Sequence, residues 1–434
     1  MVIIPATDEQ VSSQEVLSDE ATTTYRLDID KLGASGTERN FFVLLDGTWN
    51  EERGKGSNFA TSNVRRLYDA LQADSPTQIA RYFRGVGSVQ DNGRLKRWWY
   101  GFNGEDERRI REFAHATINK ELRPGDRLFI LGFSRGAACA RRLASDLANE
   151  GVHETIRIRT QMVANRITDQ VEARFVGFER EGRSARIDVS FLGCWDTVGA
   201  FVLPLRFPNH PWLDWIVRKW TSVRESFSGN VPFRDLTVAP NVQRAVHCVA
   251  IDETRNAFLP TPMNREPKVE EVWFPGVHAD VGGGYARDGL ARVTFRFMVK
   301  RIEDWVRQNK IRPIEWHREK LEEARRLAPD PEYHFHFHGL TRGFRLYGKS
   351  IRRIHVMNAN KPDYSVKPRI HWSVAELWQS ALVLAEAQLG KDAWRIDYHP
   401  FNVHELNKTH GHLRDASGDD WPFEWIERPT GAYV

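Results

Sequence analysis

The chain has 434 residues, 41% of them hydrophobic and 28% charged, and 62 basic against 58 acidic side chains leave a formal net charge of +4. With 24 Phe and 15 Trp there is material for a sizeable core, which excludes a wholly disordered chain. So even a balance of charge supplies no basic stripe for nucleic acid, and that partner class is excluded.

The first twenty residues, MVIIPATDEQVSSQEVLSDE, hold no basic n-region and no long apolar h-region, so a secretory signal is not expected. No apolar run approaches the ~20 residues of a membrane span. The expectation is a chain made in the cytoplasm, exported, if at all, by a route that reads no signal peptide. Residues 1–36 are polar, end in Gly33, Ser35 and Gly36, and read as a loose tail.

Short apolar runs and helical patterns then alternate. Residues 41–45 read as a buried strand, and residues 64–71 as a helix with Asn63 as N-cap. A weaker strand follows at 79–83, then a helix over 105–119 through Ile110, Phe113 and Ile118. Residues 128–131 read as a strand and 137–147 as a helix; 189–192, 245–251 and 271–274 are three more strands. This alternation predicts an α/β fold with a mostly parallel sheet covered on both faces. From about 200 to 242 the rhythm breaks in a Pro- and Trp-rich stretch read as an insertion or lid. A helix over 293–306, a charged linker over 317–331 and a C-terminal region with a helix over 374–386 complete the chain. The implied organisation is a tail (1–36), a central α/β domain (37–310) and a C-terminal extension (311–434). Cys139, Cys194 and Cys248 sit in or beside apolar segments without paired spacing, and read as buried thiols in a reducing compartment.

One stretch carries chemistry. Gly132-Phe133-Ser134-Arg135-Gly136 lies between a predicted strand and a predicted helix, which is the nucleophile-elbow arrangement. The serine sits on a strained turn, so its neighbours at plus and minus two must be small. The following helix directs its N-terminal N–H groups toward a developing oxyanion. The plainer reading is a tight turn whose serine only caps the helix. A serine hydroxyl needs a base and an orienting acid. His278, in WFPGVHADVGGGY, is the base, with Gly282, Gly283 and Gly284 suited to a loop pressed against other backbone. For the acid, strand counting favours Asp252, past the strand before the histidine strand; Asp196 can serve one strand earlier, and Asp280 lies two residues from His278. Oxyanion donors are expected from the N–H of Arg135 and from Gly47 and Thr48 in LLDGTWN, where Asp46 is expected to fix the loop by hydrogen bonds.

FFVLLDGTWN, YFRGVGS, GFSRGAA, CWDTVGA and WFPGVHADVGGGY occur in the order seen in a bacterial and fungal α/β-hydrolase family that includes phospholipase effectors of the type VI secretion system. The chain resembles that family over about residues 39–300, and the C-terminal RRIHVMN and RIHWSVAELW are compatible with it. The resemblance implies a serine esterase or lipase, in first place a phospholipase A, with Ser134 as nucleophile, His278 as base and Asp196, in the WDTVGA motif, as acid; Asp252 is the alternative. It implies no metal and no organic cofactor. It also implies a lipid or small-ester substrate, a membrane surface, and an immunity or delivery partner. Trp212, Trp215 and Trp220, with Arg218 and Lys219 among them, suit a membrane interface or lid, and so does LKRWWYGF at 95–102; a core or subunit contact is the plainer reading. Two rivals stand. His334, His336 and His338 share one face of a predicted strand and could ligate zinc, without an acidic or cysteine cluster nearby. A non-catalytic binding protein on the same fold would have lost Ser134, His278 or the acid, and all three types are present.

Overall fold

The computed structural model describes residues 3–5, 14–32, 38–47, 59–85, 104–165, 170–199, 235–255, 258–326, 335–337, 351–379, 383–387, 393–396, 398, 400, 402–403, 405–406 and 421–430. Its centre is a nine-stranded sheet. In chain order the strands are β1 (Asn40–Leu45), β2 (Asp74–Ser75), β3 (Gln78–Phe83), β4 (Arg127–Phe133), β5 (Val189–Trp195), β6 (Ala245–Ala250), β7 (Val269–Phe274), β8 (Arg369–His371) and β9 (Glu424–Ile426). In space they run β9-β8-β7-β6-β5-β4-β1-β3-β2. All neighbours are parallel except β2, a two-residue antiparallel edge on β3. The protein is a mixed α/β structure with a largely parallel central sheet.

Strand periodicity explains why both faces are covered. In β1 every residue is buried, as a strand between two helical layers requires. Phe41, Val43 and Leu45 point one way, into a cluster with Ala137, Ala140, Leu143 and Ala144 of the helix Arg135–Asn149 and Ile110, Ala114 and Ile118 of the helix Gly104–Glu121. Phe42 and Leu44 point the other way, toward Val64 and Leu67 of the helix Asn63–Ala70 and Phe295, Met298 and Ile302 of the helix Gly289–Gln308. Phe129 of β4 is fully buried there, stacked on Phe42 at 4.7 Å and near Phe191 at 6.4 Å. Phe129→Ala should therefore lower stability by about 3–5 kcal/mol. A denaturant titration checks this, and a loss below ~1 kcal/mol would mean that this aromatic column is not the core of the sheet.

The ends of the chain differ from expectation. Within the segment read as a tail, Gln14–Arg26 is a 13-residue strand antiparallel to Val152–Asn165, in a four-stranded sheet with Gln170–Ala185 and Ile3–Pro5. Its side chains are almost all exposed, so the strand is held by backbone pairing and shows no apolar alternation to read. This sheet meets the domain through Ile156, Ile158 and Phe175 against Ala116. The segment read as a charged linker contains the helix Arg318–Arg325. The helix expected over 374–386 is Ser373–Gln379, and Val383–Ala387 is a strand. The region after residue 310 supplies β8 and β9 to the central sheet itself. Ser62, not Asn63, caps the helix Asn63–Ala70, accepting from the Arg65 N–H at 3.1 Å. Asn63 donates instead to the carbonyls of Val281 and Ala291, tying this helix to the segment that follows His278. All three cysteines are buried and unbridged. Among the described residues no helix is long and apolar enough to cross a membrane.

Candidate active site

The chain enters the sheet at β1, moves outward on one side to β3, and resumes on the other side at β4. At such a reversal the loops leaving the carboxyl ends diverge and open a crevice, the usual ligand position in open parallel sheets. Asp46, Ser134, Asp196, Asp252 and His278 all follow the carboxyl ends of strands on this edge: β1, β4, β5, β6 and β7 respectively.

Ser134 lies between β4 and the helix Arg135–Asn149 with φ 58° and ψ −122°, a backbone conformation that L-residues rarely adopt. The close approach of flanking backbone explains the glycines. A Cβ on Gly132 would stand 2.4 Å from the Gly136 carbonyl oxygen, and one on Gly136 would stand 2.2 Å from the Leu45 carbonyl oxygen. The turn is pinned to β5 by the Ser134 N–H donating to the Trp195 carbonyl at 3.0 Å. The serine hydroxyl makes no capping bond to its helix. It lies 2.8 Å from His278 Nε2, and His278 Nδ1 lies 2.5 Å from Asp196 Oδ2. His278 opens a short helix, His278–Gly282, directly after β7, and its ring sits between Phe133 and Phe258, with centroids at 4.7 and 4.9 Å. A Cβ on Gly282 would penetrate the Phe133 ring, and, as the glycine-rich loop suggested, one on Gly283 would meet other backbone, 2.7 Å from the Asn63 nitrogen. Ser134, Asp196 and His278 are each 5% exposed or less.

The two aspartates left open by the sequence have different surroundings. Asp196 has φ 37°, and its Oδ1 accepts the Ala250 N–H at 2.9 Å, so its carboxylate leans across the end of β6 toward His278. Arg352 approaches from the other side, donating to Oδ1 at 2.7 Å and to Oδ2 at 3.0 Å. Burial alone would raise this carboxyl; Arg352 and His278 outweigh burial and hold it well below the ordinary carboxylate value. Asp252 points elsewhere: its Oδ2 accepts from the Gly276 N–H at 2.7 Å and the Tyr398 hydroxyl at 2.9 Å. Burial outweighs its hydrogen bonds to Gly276 and Tyr398 and the more distant Arg352, and pushes it up to about 7. Asp280 accepts the Val277 N–H at 3.0 Å and serves the turn. Burial lowers the His278 imidazole below its ordinary value, with Asp196 opposing, which favours the neutral ring that can accept a proton.

Asp46 fixes its loop, as expected: Oδ2 accepts from Ser62 and Tyr82 hydroxyls, both at 2.6 Å. Its Oδ1 accepts the Gly47 N–H at 2.7 Å, so that N–H, expected as an oxyanion donor, is turned toward Asp46. Gly47 still abuts the serine, since a Cβ there would lie 3.2 Å from Ser134 Cβ. Arg135 is the first residue of its helix, where N–H groups point out of the N-terminus. Thr48 lies outside the described residues, as do Trp212, Trp215, Trp220, residues 95–102, His334 and His338. Reading the sequence misses Arg352, Phe258 and the buried Glu253–Arg255 pair (2.7 Å) whose Glu253 carboxylate accepts the His278 backbone N–H at 3.3 Å. No local spacing announces any of them.

A family model described as the catalytic domain of type VI secretion system Tle1-like phospholipase effectors matches residues 39–301. The match holds Ser134, Asp196 and His278 and stops short of Arg352. An uncharacterized protein of Saccharomyces cerevisiae, YEL023C, is 25% identical over an aligned length of 283, covering 55% of this chain and 35% of that one. An uncharacterized protein from Pseudomonas aeruginosa, known from its crystal structure, is 20% identical with a TM-score of 0.37, over 68% of this chain and 48% of that one. The Tle1 effector bound to the VgrG spike of the type VI secretion system is 18% identical with a TM-score of 0.34, over 58% and 52%. The chain thus spans about a third of the curated relative's length and about half that of the two solved chains.

Proposed function

From the premise that the chain belongs to the type VI secretion system Tle1-like phospholipase effector family, we propose that it is a serine hydrolase of α/β-hydrolase type that cleaves the acyl esters of phospholipids. The observation that carries this reading is the hydrogen-bonded series Ser134 Oγ, His278, Asp196 at the sheet's carboxyl edge. In the reaction, His278 Nε2 takes the hydroxyl proton as Ser134 Oγ attacks the ester carbonyl. Asp196 holds Nδ1–H and stabilises the imidazolium that forms. The Arg135 N–H, at the positive end of its helix, holds the oxyanion, with the Thr48 N–H, the other donor expected from the sequence, as its partner. His278 then protonates the leaving alcohol, the lysolipid in a phospholipase A reaction. A water activated by the same imidazole releases the fatty acid and restores Ser134. Every proton is carried by these side chains, and the steps call for no metal or organic cofactor. Phe133 and Phe258, packed on the imidazole, shield it from water. Delivery through a secretion spike, and a matching immunity partner, rest on the family alone.

The test is incubation of the purified protein and its Ser134→Ala variant with mixed phospholipid vesicles and with short-chain p-nitrophenyl esters, the products being identified by mass spectrometry. Fatty acid and lysolipid are expected from the wild type, with a loss of at least ~10³-fold in the variant. Equal release by the variant would sink the proposal. Turnover of the soluble esters alone would keep the serine chemistry and remove the phospholipid.

A further inference from the structure

Arg352 belongs to the C-terminal region, yet it reaches Asp196 at the carboxyl edge of the sheet. Its side chain is buried, and its two terminal nitrogens straddle Asp196, Nη1 to Oδ1 at 2.7 Å and Nη2 to Oδ2 at 3.0 Å. Nη1 also donates to the Ala250 carbonyl at 2.8 Å, and Nη2 to the carbonyl of Phe258, whose ring packs on His278. A planar guanidinium gripping both oxygens fixes the plane of the carboxylate as well as its position. Among the described residues, the hydrogen bonds to that carboxylate come from His278, Arg352 and the Ala250 N–H.

Asp196 therefore shares its charge with a permanent cation before His278 becomes a transient one. A carboxylate already paired with arginine pulls less strongly on an imidazolium, so the imidazole gives up its proton more readily and stays a competent base to lower pH. The other charged groups near His278 leave this effect standing. Glu253, which accepts the His278 backbone N–H, is paired with Arg255, and Asp280 is engaged by the Val277 N–H. Asp252 is held by Gly276 and Tyr398, and Tyr285 is a buried phenol that stays neutral.

We propose that Arg352 is a positioning residue, supplied from beyond the matched catalytic stretch, that aims Asp196 at His278 and sets the lower pH limit of turnover. The proposal rests on the serine-hydrolase reading above. The test is a set of kcat/KM profiles against pH for the wild type, Arg352→Gln and Arg352→Lys, paired with NMR titration of the His278 imidazole and a melting curve for each protein. Arg352→Gln should move both the acid limb and the His278 titration upward by about one pH unit. Its kcat should fall by about tenfold or more, with KM little changed. Arg352→Lys keeps the charge but cannot grip both oxygens, so its limb should stay within a few tenths of a unit of wild type while kcat still falls. An unmoved limb and titration in folded Arg352→Gln would overturn the proposal. If that variant does not fold, Arg352→Lys decides: wild-type kcat would overturn the positioning role. A Lys limb displaced by a full unit would overturn the role of charge. The NMR titration needs no turnover, so a failure of the hydrolase reading, seen as undiminished activity in Ser134→Ala, is recorded separately.

Discussion

Asp196→Asn should lower kcat/KM by about 10⁴-fold, while Asp252→Asn should leave it within about tenfold of wild type. The first figure is the scale for a triad acid whose loss presents the wrong imidazole tautomer to the nucleophile. An asparagine at 196 could offer its NH₂ to Nδ1, which would place the ring proton on Nε2, where Ser134 needs a lone pair. The second follows from geometry: Asp252 bonds to Gly276 and Tyr398, and His278 spends its Nδ1 on Asp196. Steady-state kinetics of both variants, with melting curves to show that each is folded, checks the pair. A loss at Asp252 equal to or larger than that at Asp196 would reverse the assignment of the acid.

Asp252→Asn should also stabilise the protein above neutral pH and do little near pH 4. The Asp252 carboxyl is pushed up from 3.8 to about 7 by burial, only partly offset by its hydrogen bonds. Between those values the folded protein keeps a proton that the unfolded chain has released. The neutral acid's advantage is thus fully present below the unfolded pKa and is lost as pH rises through the folded one. Wild-type stability falls over this window by about 1.4 kcal/mol per pH unit, up to about 4 kcal/mol in all. Asparagine keeps an acceptor for Gly276 and Tyr398 and does not titrate, so the variant should gain on the wild type by a few kcal/mol at pH 8. Denaturant unfolding at pH 4, 6 and 8 measures it. A difference that does not change with pH would mean that Asp252 is not a buried neutral acid at low pH.

The parts of the site that the sequence discloses are those whose physics is local. The elbow requires a small residue on each side of Ser134, and Gly132 and Gly136 sit where backbone approaches a would-be Cβ to 2.4 and 2.2 Å. His278 follows a buried strand and precedes Gly282, which packs on Phe133, and Gly283, which packs on the backbone of Ser62 and Asn63. The choice of acid is not local. Asp196 and Asp252 both follow buried strands, and only the backbone turn at Asp196 (φ 37°) and the arrival of Arg352 from 156 residues away separate them. Strand counting favours Asp252, which bonds to Gly276 and Tyr398, whereas the family resemblance points to Asp196, which lies 2.5 Å from the imidazole. In the fold, the continuous apolar runs of β1, β4 and β6 are legible because both faces are buried. Gln14–Arg26 is illegible for the opposite reason, since its side chains are almost all exposed and backbone pairing leaves no apolar period to read. Strands β8 and β9, three residues each, are too short to show a period.

The most direct test of the central claim is covalent. An alkyl fluorophosphonate reacts with a serine only where a base activates the hydroxyl and donors hold the resulting oxyanion-like phosphoryl oxygen. After treatment of the native protein, intact-mass and peptide mass spectrometry should find one adduct per chain, on Ser134, absent from Ser134→Ala and strongly slowed in His278→Ala. No adduct, or one that persists in the Ser134 variant, would contradict the account and leave the turn at Ser134 as a structural feature of the sheet.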